Sequence, residues 1–211
     1  CPFHCTFCHN IHGKKFRAHS AARVLSELKA LQDRFGFREI EIIDDIFNWD
    51  RRRTAEIMNG LVGGGLGLKL YLANGVRADI LDREMIDLFA RAGVVFMSAG
   101  IETASPERQE ATKKHVDIRK VKALLDYAVE KRIFTHALFI IGFHGETAPE
   151  VVRTLLFACG LKAHTALFNF ACAYRGSELG DNLRDRTLLV DPGNDMSSAM
   201  SSLNFVNCSP L

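Results

Sequence analysis

Residues 82–99 read DREMIDLFARAGVVFMSA and contain one complete helix pattern followed by one strand pattern. Asp82 is a good N-cap, and the large apolar side chains behind it recur on one face, as in an amphipathic helix. Gly93 is a typical helix stop, because glycine readily adopts the left-handed conformation that follows a last helical turn. The apolar run 94–99 then predicts a buried strand. This stretch therefore predicts an α/β fold.

The same succession of helix and strand extends in both directions from this stretch. Further strands are predicted at 39–43, 68–72, 136–141 and 166–173, and further helices at 20–35, 50–61, 117–128 and 147–156. Strands that alternate with helices at a spacing of about 30 residues form parallel sheets with right-handed crossovers. The pattern alone leaves open whether the sheet is doubly wound or forms a partial or closed barrel.

Polar residues follow each predicted strand. They are Asp44 and Asp45, Asn74 and Arg77, Glu102, His144 and Glu146, and Tyr174 and Arg175. In parallel α/β sheets the carboxyl ends of the strands meet at one edge and hold the functional groups. We therefore expect these side chains to surround one site.

The first eight residues, CPFHCTFC, bring Cys1, Cys5 and Cys8 close together in the chain. Three thiolates can hold an iron–sulfur cubane and leave one iron free to bind another ligand. An open coordination position is the usual mark of a catalytic metal site. The cysteine cluster thus predicts a catalytic [4Fe–4S] site.

Two other interpretations of the cysteines remain. A zinc site of the Cys₃His type has His4, His9 and His12 nearby, although zinc motifs usually consist of two separated pairs of ligands. A ferredoxin-like cluster needs a fourth cysteine, and the remaining ones, Cys159, Cys172 and Cys208, show no motif. We expect these three to be small buried apolar residues.

The composition sets further bounds. The chain has 211 residues, of which 47% are apolar and 25% charged, and this favours a single globular domain. A formal charge of +2 gives no support for a nucleic-acid partner, and the basic run 51–53 predicts a solvated helix face. No apolar run of about 18 residues predicts a membrane span. Cysteines clustered in such a chain indicate a reducing compartment, and we expect the cytoplasm.

The cysteine loop, with Phe7 before its last cysteine, resembles the cluster loop of radical S-adenosylmethionine (SAM) enzymes. Later segments resemble the strand-end motifs of that superfamily: Ile43–Phe47, Val76–Asp79, Gly100–Ser105, Lys113–Lys114, Ile141–Thr147 and Tyr174–Leu179. The pattern is most similar to radical SAM proteins that carry an N-terminal cobalamin-binding domain. Methylthiotransferases and oxygen-independent coproporphyrinogen oxidases share parts of it.

The resemblance implies an α/β fold of the partial (β/α)₆, TIM-like barrel type. Its first strand would lie just before Cys1, so we expect that strand to be missing from this chain. We expect residues 1–180 to form the radical SAM core and 181–211 to begin a C-terminal extension.

The resemblance also implies roles for individual residues. Cys1, Cys5 and Cys8 would bind the cluster. Phe7 and Gly142 would lie on the adenine side of SAM, and Glu102 would lie at its ribose hydroxyls. Asp44 or Asp45 would meet the methionyl amine, and Lys114 or equally Lys113 would meet the carboxylate. Each has a structural alternative. Asp44 or Asp45 can cap the next segment, Arg77 can pair with Asp79 or Glu102, and His136 and His144 can be hydrogen-bonded strand and turn residues.

The implied cofactors are a [4Fe–4S] cluster and SAM, with cobalamin as a further candidate held by a preceding domain. Reductive cleavage of SAM would yield methionine and a 5′-deoxyadenosyl radical, for methyl transfer, methylthiolation or ring formation. The electron would come from a reductant such as flavodoxin or ferredoxin. The substrate is not indicated. The alternative function is a non-catalytic iron–sulfur or zinc-binding module.

Overall fold

The computed structural model describes residues 1–8 and 13–182 of the chain. His9, His12 and Cys208 lie outside the described residues, as does all but the start of the extension predicted at 181–211. Among the residues that the structure describes, no helix is both long enough and apolar enough to cross a membrane.

Helices and strands alternate along the described chain. The strands are β1 (Glu39–Glu41), β2 (Lys69–Val76), β3 (Val94–Glu102), β4 (Phe134–Ile141) and β5 (Thr165–Phe170). The helices are α1 (Ala21–Phe35), α2 (Arg51–Gly64), α3 (Arg83–Ala92), α4 (Pro106–Ala111), α5 (Ile118–Glu130), α6 (Ala148–Cys159) and α7 (Glu178–Asp181). A short 3₁₀ turn, Ala78–Ile80, follows β2.

The five strands form one parallel sheet in the order β1-β2-β3-β4-β5. A doubly wound sheet reverses its strand order at a switch point, and these five strands show no reversal. Parallel strands paired in chain order, with helices between them, form the wall of a (β/α) barrel. The α/β prediction is confirmed, and of the two architectures left open the partial barrel is the one observed. The strand expected before Cys1 stays a prediction.

The hydrophobic core lies between the sheet and helices α2, α3 and α5. Alternate side chains of the strands point into it, and Leu70, Leu72 and Met97 are at most 2% exposed. Helix α3 supplies the fully buried Ile86 and Phe89 from the face that the sequence pattern predicted. This packing fixes the strands and thereby the positions of the loops that follow them.

Strand ends differ from the predicted ones for local reasons. β1 stops at Glu41, and beyond it the Asn74 side chain donates to the carbonyls of Ile43 and Asp44, at 3.3 and 3.0 Å. β2 continues to Val76 through residues with low strand propensity, and its pairing with β3 shifts register there. Helix α4 is too short for a periodic pattern and was not predicted.

Polar side chains also join the loop after β3 to the start of α6. The Glu150 carboxylate accepts hydrogen bonds from the Thr147 backbone N–H at 2.8 Å and from Arg108 at 3.2 Å, and it lies 3.0 Å from the Ser105 hydroxyl. Arg108 also donates to the carbonyls of His144 and Gly145, at 3.1 and 2.9 Å. Two adjacent strand-end loops are therefore held together by charge-assisted hydrogen bonds, some of them partly buried.

Gly93 is a position at which we expect even alanine to destabilise the fold. Its φ of 93° lies in the left-handed region, and a Cβ there would collide with the Leu68 carbonyl oxygen. Gly93→Ala should lower the free energy of unfolding by about 1–3 kcal/mol, measured by chemical denaturation. Gly63→Ala is the control, because a Cβ at this helical position meets nothing within 4 Å. The control should be neutral or stabilising, and equal losses in both variants would contradict this account.

The Glu150 contacts predict a dependence of stability on pH. Burial alone would raise the pKa of Glu150, but its hydrogen bonds from Thr147, Arg108 and Ser105 lower it to about 2. A folded-state pKa below the unfolded value stabilises the fold at neutral pH, and this contribution is lost as pH falls from about 5 to about 2. Glu150→Gln should therefore cost about 1–3 kcal/mol at pH 7, and its difference from the wild type should shrink with acidification.

Urea denaturation between pH 7 and pH 3 measures this difference. Glu27→Gln is the control, since Glu27 forms only an exposed pair with Arg23 on α1 and should change stability by less than about 0.5 kcal/mol. A Glu150→Gln deficit that stays constant across this range would contradict the assignment.

Candidate active site

A cavity of about 290 Å³ opens at the carboxyl ends of strands β1 to β4. Its walls combine cysteines, charged side chains and glycines from the loop of residues 1–8 and from the strand ends. The lining residues are Cys1, Phe3, Cys5, Phe7, Cys8, Gly13, Lys14, Asp45, Ile46, Asn74, Gly75, Val76, Arg77, Gly100, Glu102, Lys114 and Leu138. The structure thus brings most of the predicted site residues together at the expected edge of the sheet.

The three cysteines of the first loop face this cavity. Cys1, Cys5 and Cys8 are partly buried free thiols. A turn in which the Cys8 N–H donates to the Cys5 carbonyl, at 3.2 Å, brings the last two towards each other. Burial raises the pKa of the Cys8 thiol, and the nearby Lys14 ammonium acts against this rise. Their part in metal binding stays a prediction.

Two backbone hydrogen bonds at Thr6 attach the cysteine loop to the rest of the fold. The Thr6 N–H donates to the Thr112 carbonyl at 2.9 Å, and the Leu179 N–H donates to the Thr6 carbonyl at 2.8 Å. Thr6, which makes both of these contacts, is itself buried. The loop is therefore held by main-chain contacts to the end of α4 and to α7.

Glu102 and Lys114 form an ion pair inside the cavity. Lys114 Nζ lies 2.8 Å from Glu102 Oε1, and both side chains are almost fully buried. Both lie against Gly100, where a Cβ would come within 2.7 Å of the carboxylate and 3.1 Å of the ammonium. Lys113 instead pairs with Glu178 on the exposed surface, at 2.7 Å. Of the two lysines left open by the sequence, only Lys114 lines the cavity.

Gln109 holds the backbone on both sides of this ion pair. Its buried amide donates to the carbonyls of Ile101 and Thr103, at 2.9 and 2.7 Å, and accepts from the Val116 N–H at 3.0 Å. Glu102 has a φ of 67°, which is unusual for a residue with a side chain. Gln109 therefore ties the end of β3 to the turn that carries Lys114.

Asp44 and Asp45 take different positions. Asp45 lines the main cavity and lies near the cysteine loop, with its carboxylate 3.2 Å from the Cys1 backbone nitrogen. Asp44 faces only an adjoining cavity of about 260 Å³. Helix α2 is capped by Asp50, which accepts from the Arg53 N–H at 3.0 Å. The capping alternative for the first two aspartates is therefore not observed at this helix.

Phe7 and Gly142 are connected through Phe143. Phe7 lines the cavity, and its ring lies 5.9 Å from that of Phe143. Gly142 itself does not line the cavity, and its N–H donates to Glu146 at 2.6 Å. Burial raises the pKa of Glu146, which is fully buried behind this turn. Gly142 thus shapes the turn that presents Phe143 to Phe7.

The sequence proposed Asp79 or Glu102 as the ion-pair partner of Arg77, and in the structure Arg77 pairs with Asp79. Its guanidinium bonds to Asp79 at 2.9 Å, and the pair is buried at the cavity wall. The alternatives for the histidines agree with the structure, because His136 on β4 bonds to Thr165 at 2.7 Å and His144 lies exposed in a turn. Neither histidine lines the cavity, and neither do Tyr174 and Arg175.

Sequence reasoning missed five cavity residues, one of which, Gly13, precedes Lys14 in the same loop. Phe3 lies inside the cysteine motif, and its place there was an available signal. Gly75 and Leu138 were missed because their exposure to the cavity depends on strand register, which pairs Leu138 with Gly100 across β3 and β4. Lys14 lies in a loop with no periodic pattern.

The three thiols of the first loop fit an iron–sulfur cluster, whose irons are held by cysteine sulfur. In residues 1–8 and 13–182, no three Cys, His, Asp or Glu side chains lie close enough together to hold one metal ion. Of the histidines in the zinc alternative, His9 and His12 lie outside the described residues.

Comparisons with known proteins agree with this geometry. The family model described as "Radical SAM superfamily" matches residues 1–158. The chain is 32% identical over 194 residues to an uncharacterized methyltransferase of Pyrococcus horikoshii, covering 90% of this chain and 41% of the relative. It is 30% identical over 203 residues to cytidylyl-2-hydroxyethylphosphonate methyltransferase of Streptomyces wedmorensis, covering 91% and 37%. The chain therefore spans about two fifths of the length of these curated relatives.

A solved structure has the same fold. The radical S-adenosylmethionine methyltransferase TsrM of Kitasatospora setae, with tryptophan and a SAM analogue bound, superposes with a TM-score of 0.74 at 20% identity. The match covers 85% of this chain and 36% of that protein. The family model, which covers most of the chain, and the shared barrel fold lead to one conclusion: the chain belongs to the radical SAM superfamily.

Proposed function

We propose that this chain is the core of an enzyme that holds a [4Fe–4S] cluster on Cys1, Cys5 and Cys8 and binds SAM in the adjoining cavity. The supporting observation is that these free thiols line the same cavity as the Glu102–Lys114 pair and Asp45. When bound and reduced, such a cluster supplies the electron that cleaves SAM to methionine and a 5′-deoxyadenosyl radical.

The cavity residues match the chemistry of SAM. Its methionyl end carries a carboxylate and an amine, for which Lys114 and Asp45 provide complementary charges. Its ribose hydroxyls are donors suited to the Glu102 carboxylate, and Phe7 provides an aromatic surface for adenine. Before SAM binds, Glu102 and Lys114 neutralise each other, so neither is left as an unpaired buried charge.

The apolar walls of the cavity are suited to radical chemistry. A radical that abstracts unactivated hydrogen atoms has to form where water and stray side chains are excluded. Ile46, Val76 and Leu138 supply inert aliphatic surface between the polar groups. This combination of a few placed charges with aliphatic walls is typical of small-molecule sites.

Catalysis is favoured over the non-catalytic module. A structural metal site needs no ligand cavity beside it, whereas here a cavity of about 290 Å³ with a buried ion pair adjoins the thiols.

We infer that the electron comes from a flavodoxin- or ferredoxin-type reductant. Such low-potential donors and free thiols are found in the cytoplasm, which we propose as the location.

Methyl transfer is the reaction subclass that we propose. The two relatives with the highest identities given above are named as methyltransferases. Cobalamin use stays a prediction for the longer protein, and the substrate is not assigned. We also infer that the core extends beyond the matched range to residue 180, because β5 pairs with β4 and the Leu179 N–H bonds to the Thr6 carbonyl.

Anaerobic reconstitution of the full-length protein with iron, sulfide, reductant and SAM tests the proposal. We expect release of 5′-deoxyadenosine, and S-adenosylhomocysteine in addition if the enzyme transfers methyl groups. Chromatography of the products quantifies both. Ring formation would give 5′-deoxyadenosine without S-adenosylhomocysteine, which would overturn the methyl-transfer subclass. Stoichiometric zinc without broad visible absorption would overturn the cluster itself.

Single cysteine variants locate the cluster in the same assay. Cys1→Ala, Cys5→Ala and Cys8→Ala should each lose most of the bound iron and reduce SAM cleavage to background, because each removes one thiolate ligand. Cys159→Ala is the matched control, since Cys159 is an exposed free thiol on α6, and the expectation that it is buried was wrong. Full iron content and cleavage in any of the three loop variants would contradict the ligand assignment.

Adjacent lysines offer a matched test of the SAM site. Lys114→Met removes the ammonium that lines the cavity and should weaken SAM binding by about 10–100-fold, the range for a lost charge-assisted hydrogen bond. Lys113→Met changes the same charge one residue away, on the exposed pair with Glu178, and should leave affinity unchanged. Equilibrium binding of SAM to reconstituted protein gives both values. Equal effects of the two substitutions would contradict a direct role for Lys114.

A further inference from the structure

Phe3, at the centre of the Cys1–Cys5 segment, is held between two strand-end loops. Its ring meets that of Trp49, from the loop after β1, edge to face at a centroid distance of 5.1 Å. The guanidinium carbon of Arg77, which follows β2, lies 4.0 Å from the centroid of the Phe3 ring. A cation this close to an aromatic face is strongly attracted when it is shielded from water. The segment between the first two cysteines is therefore fixed through its middle residue.

Arg77 is itself firmly placed. Its side chain is buried and donates to both oxygens of Asp79, at 2.9 and 3.3 Å. The Asn48 amide bonds to both the backbone N–H and the carbonyl of Arg77, at 3.1 and 2.8 Å. The Arg77 side chain is therefore held by Asp79 and its backbone by Asn48. Its position suits a rigid support better than a ligand-binding group.

The same guanidinium also reaches the other side of the cavity. Arg77 Nη2 donates to the His115 carbonyl at 3.0 Å, next to Lys114. The turn around Lys114 has left-handed φ angles at Lys113 and His115, 54° and 49°, so it needs outside contacts to persist. Arg77 therefore contacts both the cysteine loop and the turn that carries the cavity lysine.

Resting on the proposed function, we infer that Arg77 is a positioning residue that sets the Cys1–Cys5 segment and Lys114 relative to each other. A planar guanidinium can stack on Phe3 with its face and donate hydrogen bonds from its edge at the same time. A lysine ammonium keeps the charge but cannot do both. The cluster ligands and the group that meets the SAM carboxylate would thus be aligned before either cofactor arrives.

Arg77→Lys tests this inference against a matched control. Arg83→Lys changes the same type of contact, because the Arg83 guanidinium lies 4.6 Å from the Tyr127 ring centroid, between α3 and α5. In metal-free full-length protein, alkylation followed by peptide mass analysis gives the labelling rate of each cysteine. We expect Cys1 and Cys5 to react about tenfold faster in Arg77→Lys and unchanged in Arg83→Lys. Retention of the positive charge keeps thiol ionisation comparable between proteins.

A second readout uses reconstituted protein. The change that SAM causes in the electron paramagnetic resonance spectrum of the reduced cluster should need about tenfold more SAM in Arg77→Lys, and the same amount in Arg83→Lys. Unchanged labelling and unchanged SAM dependence in Arg77→Lys would overturn the inference. So would equal acceleration of all cysteines in both variants, which indicates general destabilisation.

Phe3→Leu keeps the test decisive if Arg77→Lys does not fold. This variant leaves the Arg77–Asp79 pair in place and removes only the ring beneath the guanidinium. It should accelerate labelling of Cys1 and Cys5 while SAM affinity stays closer to wild type, because the His115 contact remains. Labelling at the wild-type rate would overturn the inference. The labelling result does not depend on SAM cleavage, so failure of the proposed function and failure of this inference are distinguishable.

Discussion

Parallel pairing of the strands in chain order is the constraint on which the site depends. Because β1 to β5 all run in the same direction, the loops that follow them open at one edge of the sheet. The cysteine loop is attached across that edge by the two backbone hydrogen bonds at Thr6. Side chains far apart in sequence, such as Asp45 and Lys114, therefore line one cavity. Buried side-chain contacts between the sheet and its helices hold the strands, and therefore this edge, in position.

Charged side chains around the cavity form ion pairs with one another before any ligand binds. Glu102 with Lys114 and Arg77 with Asp79 form two ion pairs that are almost fully buried. Removing one partner of such a pair is costly, because the other is left as an unpaired buried charge. A ligand that carries both an anion and hydroxyl donors can separate Glu102 from Lys114 without leaving either charge unmatched, because the anion pairs with Lys114 and the hydroxyls donate to Glu102. This property favours a zwitterionic ligand such as SAM over a simple anion.

Sequence patterns predicted the five strands, the five longer helices and the edge of the sheet at which the polar residues meet, because periodicity and strand-end position depend on local sequence. They did not choose between Lys113 and Lys114, since that choice depends on a turn with left-handed residues that no pattern specified. The resemblance implied Gly142 at the adenine side, and this role stays a prediction: Gly142 does not line the cavity, whereas the ring of the next residue, Phe143, lies 5.9 Å from that of Phe7. The stacking of Arg77 on Phe3 was also missed, because it joins loops that only the folded sheet brings together.

Backbone strain in the described residues is concentrated around this cavity. Four non-glycine residues have positive φ angles, and three of them, Glu102, Lys113 and His115, border the Glu102–Lys114 pair. Strained residues persist where the surroundings over-determine them, and they are frequent at functional sites. Here Gln109 holds the backbone on both sides of the pair. The position of these residues beside the Glu102–Lys114 pair agrees with the role in cofactor binding that we propose for this pair.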